Sequence, residues 1–215
     1  QISTEDIDDL ILALPRQSIL LTQNGTVYIY ESSIEGVEQA KELAMNNNLS
    51  YIDFEECISV LKNVWNIDEE QSLFVAQIEV NRTTQVTNRL DCAIYRENGQ
   101  KVDLSVCSNL NLKVNYYITD VSNISLETAK ALEEKGIDIY NGKDDFFNSY
   151  CVNFTSEYQT DVILKDRREY YFKNVSYCEV NCSYLHINLD THRVECACPV
   201  KGATEDEDED KNENP

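Results

Sequence analysis

Eight cysteines constrain this chain more than any other feature of its sequence. They are irregularly spaced, at Cys57, Cys92, Cys107, Cys151, Cys178, Cys182, Cys196 and Cys198. An even number of irregularly spaced cysteines is typical of a disulfide framework formed in an oxidising compartment. The last four cysteines suggest zinc as an alternative, but only one residue separates Cys196 from Cys198, whereas structural zinc ligands are usually two to four residues apart. We therefore predict that all eight cysteines form disulfides.

The positions of the cysteines also limit how they pair. Three lie before Asn109 and five lie after Asn148. If all eight pair within the chain, at least one disulfide must join the two halves. Cys196 and Cys198 are too close to pair with each other without heavy strain. Eight cysteines allow on the order of a hundred connectivities, and the sequence leaves the choice among the others open.

Seven Asn-x-Ser/Thr motifs indicate the same compartment. They begin at Asn24, Asn48, Asn81, Asn123, Asn153, Asn174 and Asn181. Chance placement at this content of Asn, Ser and Thr gives only about two or three such motifs, whose one known mechanism is glycan attachment in secreted proteins. We predict that these seven asparagines carry N-linked glycans and that the protein is extracellular or on the cell surface.

The net charge argues against two classes of partner. The chain has 39 acidic and 18 basic residues, for a formal charge of -21. Nucleic-acid backbones are bound mainly by Lys and Arg, and an anionic membrane surface repels an acidic protein. No apolar run approaches the roughly 18 residues of a transmembrane helix. We expect no nucleic-acid partner and no membrane insertion within this chain.

Composition and periodicity divide the chain into four segments. Residues 203–215 hold seven acidic residues and Lys211, and such dense like charge predicts a disordered acidic tail. Residues 1–15 form an N-terminal arm or helix that ends at Pro15, with apolar residues at helical spacing. Between them we predict an α+β part with two hairpins at residues 16–108 and a continuation with a disulfide-rich subdomain at residues 109–202.

Local patterns predict an α+β fold with an antiparallel sheet, short helices and a disulfide-rich C-terminal part. The dipeptides Asn24-Gly25 and Asn98-Gly99 predict hairpin turns, and perfect alternation over residues 110–118 predicts a strand that buries one face. Further strands are predicted at residues 18–22, 26–31, 73–80, 90–97, 100–106 and 137–140. Helices are predicted at residues 35–46, after a capping box at Asp53 and Glu56, from a Ser125 cap to residue 135, and at residues 165–172.

Catalytic motifs are absent from the sequence. The two histidines, His186 and His192, both lie inside the cysteine cluster. The sequence contains no nucleophile elbow, no phosphate-binding glycine loop and no His-Glu-x-x-His helix. We therefore expect no enzyme and assign no catalytic, cofactor-binding or metal-binding residue.

Calcium is the one metal that suits the acidic loops of this chain. Asp138, Asn141, Asp144 and Asp145 surround Gly142 with carboxylate and amide oxygens. The loop lacks the glutamate that an EF-hand supplies at its twelfth position. Calcium is therefore kept as a candidate partner without an assigned site.

Two features allow both a structural and an interaction role. Arg167 and Arg168 stand out in an acidic chain, and they either bond carboxylates or carbonyls within the fold or anchor a partner. The tyrosines on predicted strands, Tyr28, Tyr30, Tyr116 and Tyr117, either pack within the sheet or mark an edge strand that pairs with another copy.

Four strings and the last four cysteines carry a resemblance over about residues 50–200. The strings are Asp-Leu-Ser-Val-Cys at 103–107, Lys-Gly-Ile-Asp-Ile-Tyr-Asn at 135–141, Asp-Asp-Phe-Phe-Asn-Ser-Tyr-Cys at 144–151 and Thr-Asp-Val-Ile-Leu-Lys-Asp-Arg-Arg-Glu-Tyr-Tyr at 160–171. Together they resemble a recurring cysteine-rich extracellular module of large, mostly uncharacterised cell-surface proteins of ciliates and other protists. The resemblance implies an extracellular, glycosylated, disulfide-bonded module without catalytic residues, in which Cys92 is not a regular feature.

These observations lead to one hypothesis and one alternative. The hypothesis is a secreted, N-glycosylated structural protein that builds an extracellular filament or surface coat with copies of itself or with other surface proteins. The arm at residues 1–15, or an edge strand, would dock head to tail on the next copy. The alternative is a ligand- or cell-recognition ectodomain of a protist membrane protein.

Overall fold

The computed structural model describes residues 18–22, 25–68, 70–80, 87–118, 124–156, 159–172 and 175–200. In these residues the chain forms two antiparallel sheets and several short helices, which confirms the predicted α+β class. The predicted arm at residues 1–15 and the predicted tail at residues 203–215 lie outside the described residues. Among the helices described, none combines the length and the apolar character needed to cross a membrane.

The first sheet contains five strands. They are β1 (Ser18–Thr22), β2 (Gly25–Glu31), β4 (Phe74–Val80), β5 (Arg89–Tyr95) and β6 (Lys101–Val102). Their order across the sheet is β1-β2-β4-β5-β6, so β1 and β6 are the edge strands. Both predicted hairpins, β1–β2 and β5–β6, are present as antiparallel pairs.

Gly25 does not lie in the turn of the first hairpin, where the sequence had placed it. Gly25 is the first residue of β2 and pairs with Thr22, so it belongs to the strand rather than to the turn. A β-carbon at Gly25 would lie 2.0 Å from the carbonyl oxygen of Glu79 on β4. The close approach of β4 therefore requires glycine at this position.

The second sheet contains four strands. They are β3 (Tyr51–Asp53), β7 (Asn111–Tyr117), β8 (Ser183–Asn188) and β9 (Arg193–Pro199), in the order β3-β7-β9-β8. The predicted alternation of β7 is confirmed, because Leu112, Val114 and Tyr116 are buried. β8 and β9 both come from the cysteine-rich segment, where no apolar periodicity predicted them.

Five helices are described. They are α1 (Ile34–Asn46), α2 (Glu55–Val64), α3 (Leu126–Glu133), α4 (Asp145–Asn148) and α5 (Leu164–Tyr171). The predictions of α1, α2, α3 and α5 are confirmed. Ser125 caps α3 by accepting a hydrogen bond from the Thr128 amide, and Gly136 follows the helix with φ 76°. This left-handed conformation is the one that glycine adopts after a helix C-terminus.

Two further local predictions were wrong. Asp53 does not begin a capping box, because it is the last residue of β3 and Phe54 is the N-cap residue of α2. The Asp53 Oδ1 atom instead accepts a hydrogen bond from the Glu55 amide at 3.1 Å. Residues 137–140 form turns rather than a strand. The Ile137 amide donates to the Leu132 carbonyl, closing α3 and leaving the segment bonded locally.

One large hydrophobic cluster joins the two sheets to the helices. Its members include Tyr28 and Tyr30 of the first sheet, Val114 and Val194 of the second sheet, and Leu61 of α2. Residues on both sides of position 108 share this core.

Three disulfides are present among the described residues. They are Cys57–Cys107, Cys178–Cys196 and Cys182–Cys198. The last four cysteines are thus joined as disulfides rather than arranged as a zinc site.

The prediction that all eight cysteines form disulfides was wrong for two of them. Cys92 and Cys151 carry free thiols, and Cys151 is exposed. Cys92 lies on β5 inside the first sheet, whereas Cys151 follows α4 in an exposed turn, so the fold gives them different environments. None of the three disulfides joins the half before Asn109 to the half after Asn148.

Candidate functional site

The candidate functional site is a cleft of about 300 Å³ between the two sheets. Residues 89–93 of β5 line it from the first sheet, and the Cys182–Cys198 disulfide lines it from the second. Much of the remaining lining is apolar and includes Phe54, Leu104, Leu112 and Val180. A cleft with this lining suits an apolar occupant.

The cleft runs along a stretch of sheet edge. β6 pairs with β5 only at Ile94 and Tyr95, while residues 89–93 of β5 pair with β4 on their other side. Among the strands described, none pairs with the other edge of residues 90–93. An open edge of this kind can accept an added strand, because main-chain hydrogen bonds supply affinity and pockets for side chains supply specificity.

The sequence predicted the β5–β6 hairpin but not the early end of β6. A strand was expected over residues 100–106, yet β6 ends at Val102. The reason is local: the Asp103 side chain accepts the Ser105 amide at 2.9 Å and starts a 3-10 turn over Leu104–Cys107. A short polar side chain that bonds the backbone two residues later competes with a strand, so Asp103 and Ser105 carried a signal for the end of β6.

Cys92 lies in the middle of the β5 residues that line the cleft, where its surroundings disfavour the reactive thiolate. Burial raises the pKa of its thiol to about 12, and the neighbouring Asp91 carboxylate adds to the shift. A thiol reacts as its thiolate, which this environment disfavours at neutral pH.

Charged groups at the cleft have mixed signs. Arg89 Nε lies 2.9 Å from Asp91 Oδ1, and both side chains are more than 40% exposed, so this ion pair contributes little to stability. Lys101 and Glu179 also line the cleft. The lining therefore presents neither a cation site nor an anion site.

A buried polar network connects the two sheets. The Tyr28 hydroxyl donates to the Ser50 carbonyl at 2.6 Å and contacts Gln77 Oε1. Gln77 Oε1 accepts the Ile52 amide at 3.1 Å, and its Nε2 donates to the Tyr30 hydroxyl at 2.7 Å. Burial raises the pKa of both Tyr28 and Tyr30, so the hydroxyls keep the protons that the network uses.

Glu79 is buried and extends this hydrogen-bond network. Its carboxylate is 2% exposed and accepts hydrogen bonds from the Ser50 amide at 2.9 Å, the Ser50 hydroxyl at 2.8 Å and the Asn88 side chain at 3.0 Å. A buried carboxylate with three donors holds the chain in place, and it fixes Ser50 against β4.

The arginine pair has the structural role that the sequence allowed. Arg167 is 2% exposed, and its Nη2 donates to the Ser149 carbonyl at 3.1 Å while its guanidinium lies 5.3 Å from the centre of the Phe146 ring. Arg168 Nε donates to the Phe147 carbonyl at 2.6 Å. Both arginines hold α5 against the α4 segment.

The tyrosines singled out on strands pack inside the sheets. Tyr28 and Tyr30 lie on β2, and Tyr116 and Tyr117 lie on β7, which are interior strands of their sheets. Tyr28, Tyr30 and Tyr116 are buried. The edge-strand interpretation of these four tyrosines was therefore wrong.

Three of the seven predicted glycosylation sites lie within the described residues. Asn48, Asn153 and Asn181 are all exposed. Asn24, Asn81, Asn123 and Asn174 lie outside the described residues. Glycan attachment at all seven stays a prediction.

The acidic loop around Gly142 uses its carboxylates to hold its own backbone. Asp144 accepts the amides of Asp138 and Phe146, at 3.0 Å and 2.8 Å. Asp138 accepts the Tyr140 amide at 3.0 Å and the Tyr184 hydroxyl at 2.7 Å. Within the described ranges, no group of three or more His, Cys, Asp or Glu side chains converges on a metal position.

The two histidines lie apart from the cleft lining. His186 lies on β8 opposite Glu195, and His192 adopts φ 52° between β8 and β9. The His192 carbonyl accepts the Ile118 amide at 3.0 Å, which ties this turn to the end of β7.

No protein-family model, curated protein or solved structure matches this chain. The case for a function therefore depends on the cleft, the sheet edges and the sequence.

Proposed function

We propose that the protein is a secreted, N-glycosylated structural protein that assembles head to tail into an extracellular filament or surface coat. The observation that carries the proposal is the asymmetry of the first sheet. β1 forms one edge and follows the predicted arm at residues 1–15, whereas the opposite edge strand, β6, pairs with only two residues of β5. A contact between two different surfaces is heterologous, and it produces open filaments when its rotation does not close.

The predicted glycans at Asn24 and Asn81 are compatible with this use of the edges. Thr22, Gly25, Val80 and Arg89 form one row across the end of the first sheet. Asn24 and Asn81 directly adjoin this row in sequence. Glycans at these two positions would be attached next in sequence to the end of this row rather than to the strand residues themselves.

Like-charge repulsion opposes association of this protein. Each copy carries a formal charge of -21. Screening by salt reduces repulsion between exposed charges beyond about 10 Å at 0.1 M ionic strength. We expect assembly to strengthen with added salt or divalent cations, and weakening would count against this account.

Sedimentation and electron microscopy of the purified full chain test the proposal. We expect concentration-dependent association and linear particles, because the two contact surfaces differ. Deleting residues 1–15 should leave monomers, whereas the matched deletion of residues 203–215 should preserve or strengthen association by removing negative charge. A full chain that stays monomeric at high concentration and in high salt would overturn the proposal.

A recognition ectodomain is the second candidate function. The cleft of about 300 Å³ favours it, since a ligand of that size class could bind there. Val180 lines the cleft and is 70% exposed, so Val180→Trp should block ligand entry without disturbing the core. Binding of a monomeric chain to a cell surface or soluble ligand, lost in this variant, would favour recognition over assembly.

A further inference from the structure

We propose that residues 7–14 cover the outer face of the first sheet, and that copies join by exchanging this cover. The exchange depends on the proposed function, because it names the contact that joins one copy head to tail to the next. The outer face carries a second hydrophobic cluster, which consists of Ile29, Phe74, Ala76, Ala93 and Tyr95.

The burial of this face requires a layer of protein above it. Ile29, Ala76 and Ala93 lie in one row across β2, β4 and β5, and they are 6%, 0% and 6% exposed. Apolar side chains on one face of a sheet are shielded from water only when another layer packs on them. Because these residues are buried within a single chain, the layer belongs to the same chain.

The described helices do not form that layer. The second cluster contains side chains of three strands and of no described helix. Residues at the alternate positions of β2, such as Tyr28 and Tyr30, point to the opposite face and belong to the large cluster. All five described helices contribute an apolar side chain to this large cluster: Ala40, Leu61, Leu132, Phe146 and Tyr171. The layer over the outer face therefore comes from residues outside the described ranges.

Among the segments outside the described ranges, only residues 1–17 are apolar enough to supply the layer. Every other such segment has at most one large apolar side chain, as Val86 in residues 81–86 and Val121 in residues 119–123 illustrate. Residues 1–17 have six: Ile2, Ile7, Leu10, Ile11, Leu12 and Leu14.

Residues 7–14 have the pattern of a helix that covers a single face. Ile7, Leu10, Ile11 and Leu14 recur at the spacing of one side of a helix. The remaining sides carry four acidic residues, which suit contact with water: Glu5, Asp6, Asp8 and Asp9. A helix of eight residues is about 12 Å long. Three neighbouring strands span about 10 Å, so the helix and the row across β2, β4 and β5 match in size.

The arm joins the sheet beside this face. Ser18 pairs with Ile29, at the end of the buried row. Ala76 lies two strand spacings from β1, about 10 Å, and a second layer lies about 10 Å above a sheet, which makes the diagonal about 14 Å. Leu14 is four residues from Ser18, and four residues span at most about 14 Å. The arm therefore reaches the outer face of its own chain, and the same face of a neighbouring copy is an equivalent site.

Pro15 makes the arm suitable for exchange. Proline disfavours a helical conformation in the residue before it, so the helix ends and an extended link of three residues leads to β1. An element joined by such a link can occupy the same place on another copy and make the same contacts, as in domain swapping. Exchange that passes from each copy to the next does not close on itself, and it gives the head-to-tail order of the proposed filament.

Photo-cross-linking of the full chain tests the cover and the exchange. A benzophenone side chain replaces Ile11, on the apolar side of the predicted helix, in a mixture of copies with light and heavy isotopes. We expect cross-links to the row of Ile29, Ala76 and Ala93, within one chain in the dilute monomer and between copies in the assembled protein. Leu12 lies on another side of the helix, so the same replacement there is the matched control and should give several-fold fewer links to this row.

Leu10→Glu gives a second readout in the full chain. A carboxylate against the outer face should uncover it, so the fluorescence of a neutral apolar dye such as Nile red should rise several-fold and association should weaken. Leu12→Glu is the matched control and should change neither. An unchanged dye signal and unchanged association in Leu10→Glu would contradict the cover.

The cross-links separate this inference from the proposed function. Links from position 11 to the outer face, within the monomer and between assembled copies, support the cover and the exchange. Links within one chain of a protein that stays monomeric support the cover but overturn the exchange together with the proposed function. Assembly without links to the outer face overturns the inference and leaves the structural function standing. A monomer without such links overturns both.

Discussion

Arg193 Nη2 donates a hydrogen bond to the carbonyl oxygen of Ala44 at 2.9 Å, joining residues 149 positions apart in sequence. Its Nη1 donates to the Leu49 carbonyl at 2.7 Å. The guanidinium also lies 5.8 Å from the ring centre of Tyr51 and 5.6 Å from that of Tyr117. A single buried cation therefore holds the C-terminal end of α1, β3 and β7 to β9.

Replacing this arginine should destabilise the fold strongly. Arg193 is 5% exposed, so Arg193→Met would leave two carbonyls without their donors inside the protein. Each such loss costs about 1–3 kcal/mol, and we expect the free energy of unfolding to fall by about 3 kcal/mol in total. Urea denaturation measures the change. Lys113→Met is the control, because Lys113 is 63% exposed and its change should be under about 0.5 kcal/mol.

The two free thiols should react very differently. Cys151 is exposed, whereas Cys92 is only partly exposed on β5 and desolvation raises the pKa of its thiol to about 12. A thiol reagent at pH 7 should label Cys151 in the native protein and Cys92 only after unfolding. Peptide mapping identifies the labelled residue, and Cys151→Ser should abolish the native signal. No label even in denaturant, before reduction, would mean that these two cysteines are joined after all.

The disulfide that closes the longer loop should contribute somewhat more to stability. Cys57–Cys107 spans 50 residues, and Cys182–Cys198 spans 16. The loop-entropy relation gives about 4 kcal/mol for the first and about 3 kcal/mol for the second. Double substitution to alanine, followed by urea denaturation, measures each contribution. An equal or larger loss from the shorter loop would show that native contacts outweigh loop entropy here.

The two disulfides should also differ in their resistance to reductant. Cys57 and Cys107 are completely buried, whereas Cys182 is partly exposed. Mild reduction of the native protein followed by alkylation should therefore modify Cys182 and Cys198 first. Preferential alkylation of Cys57 would contradict the burial described for α2 and the turn that follows β6.

Stability should decrease in alkaline solution. Burial raises the pKa of Cys92 from an ordinary value of 9.0 to about 12, and it also raises the pKa of Tyr28 and Tyr30. A group with a raised pKa in the folded state stabilises the fold fully below its unfolded pKa and loses that contribution as the pH rises through the folded pKa. Between about pH 9 and the folded pKa, ionisation of Cys92 in the unfolded state should by itself lower the free energy of unfolding by about 1.4 kcal/mol per pH unit.

Denaturation curves between pH 7 and pH 11 check this prediction. Cys92→Ala should have a shallower alkaline decline than the native chain, since it lacks one of the titrating groups. Cys151→Ala is the matched control and should leave the slope unchanged, because Cys151 is exposed. A stability that is independent of pH across this range would contradict the buried environment of β5.

Local structure was predicted well where it depends on neighbouring residues. The Ser125 cap and the glycine after α3 predicted the position of that helix correctly. Strict alternation of apolar residues predicted β7. Both predictions succeeded because capping and side-chain periodicity are properties of the local sequence. The strand predicted at residues 137–140 failed because the bonds that close α3 compete with extension. β8 and β9 were not predicted, because two disulfides and pairing with β7 organise that segment.

The sequence by itself determined the α+β class, the hairpins, most helices and the solvated, acidic character of the chain. It could do so because turns, caps and periodicity act over a few residues, and charge follows from composition. Only the tertiary structure decided which cysteines pair, which were left free and where β5 faces the second sheet across the cleft. Both the cysteine pairing and the cleft depend on the distance between residues far apart in the chain. Cys92 and Cys151 remain unpaired because the fold places them in separate environments. The cleft exists because β6 stops at Val102 while β9 passes nearby.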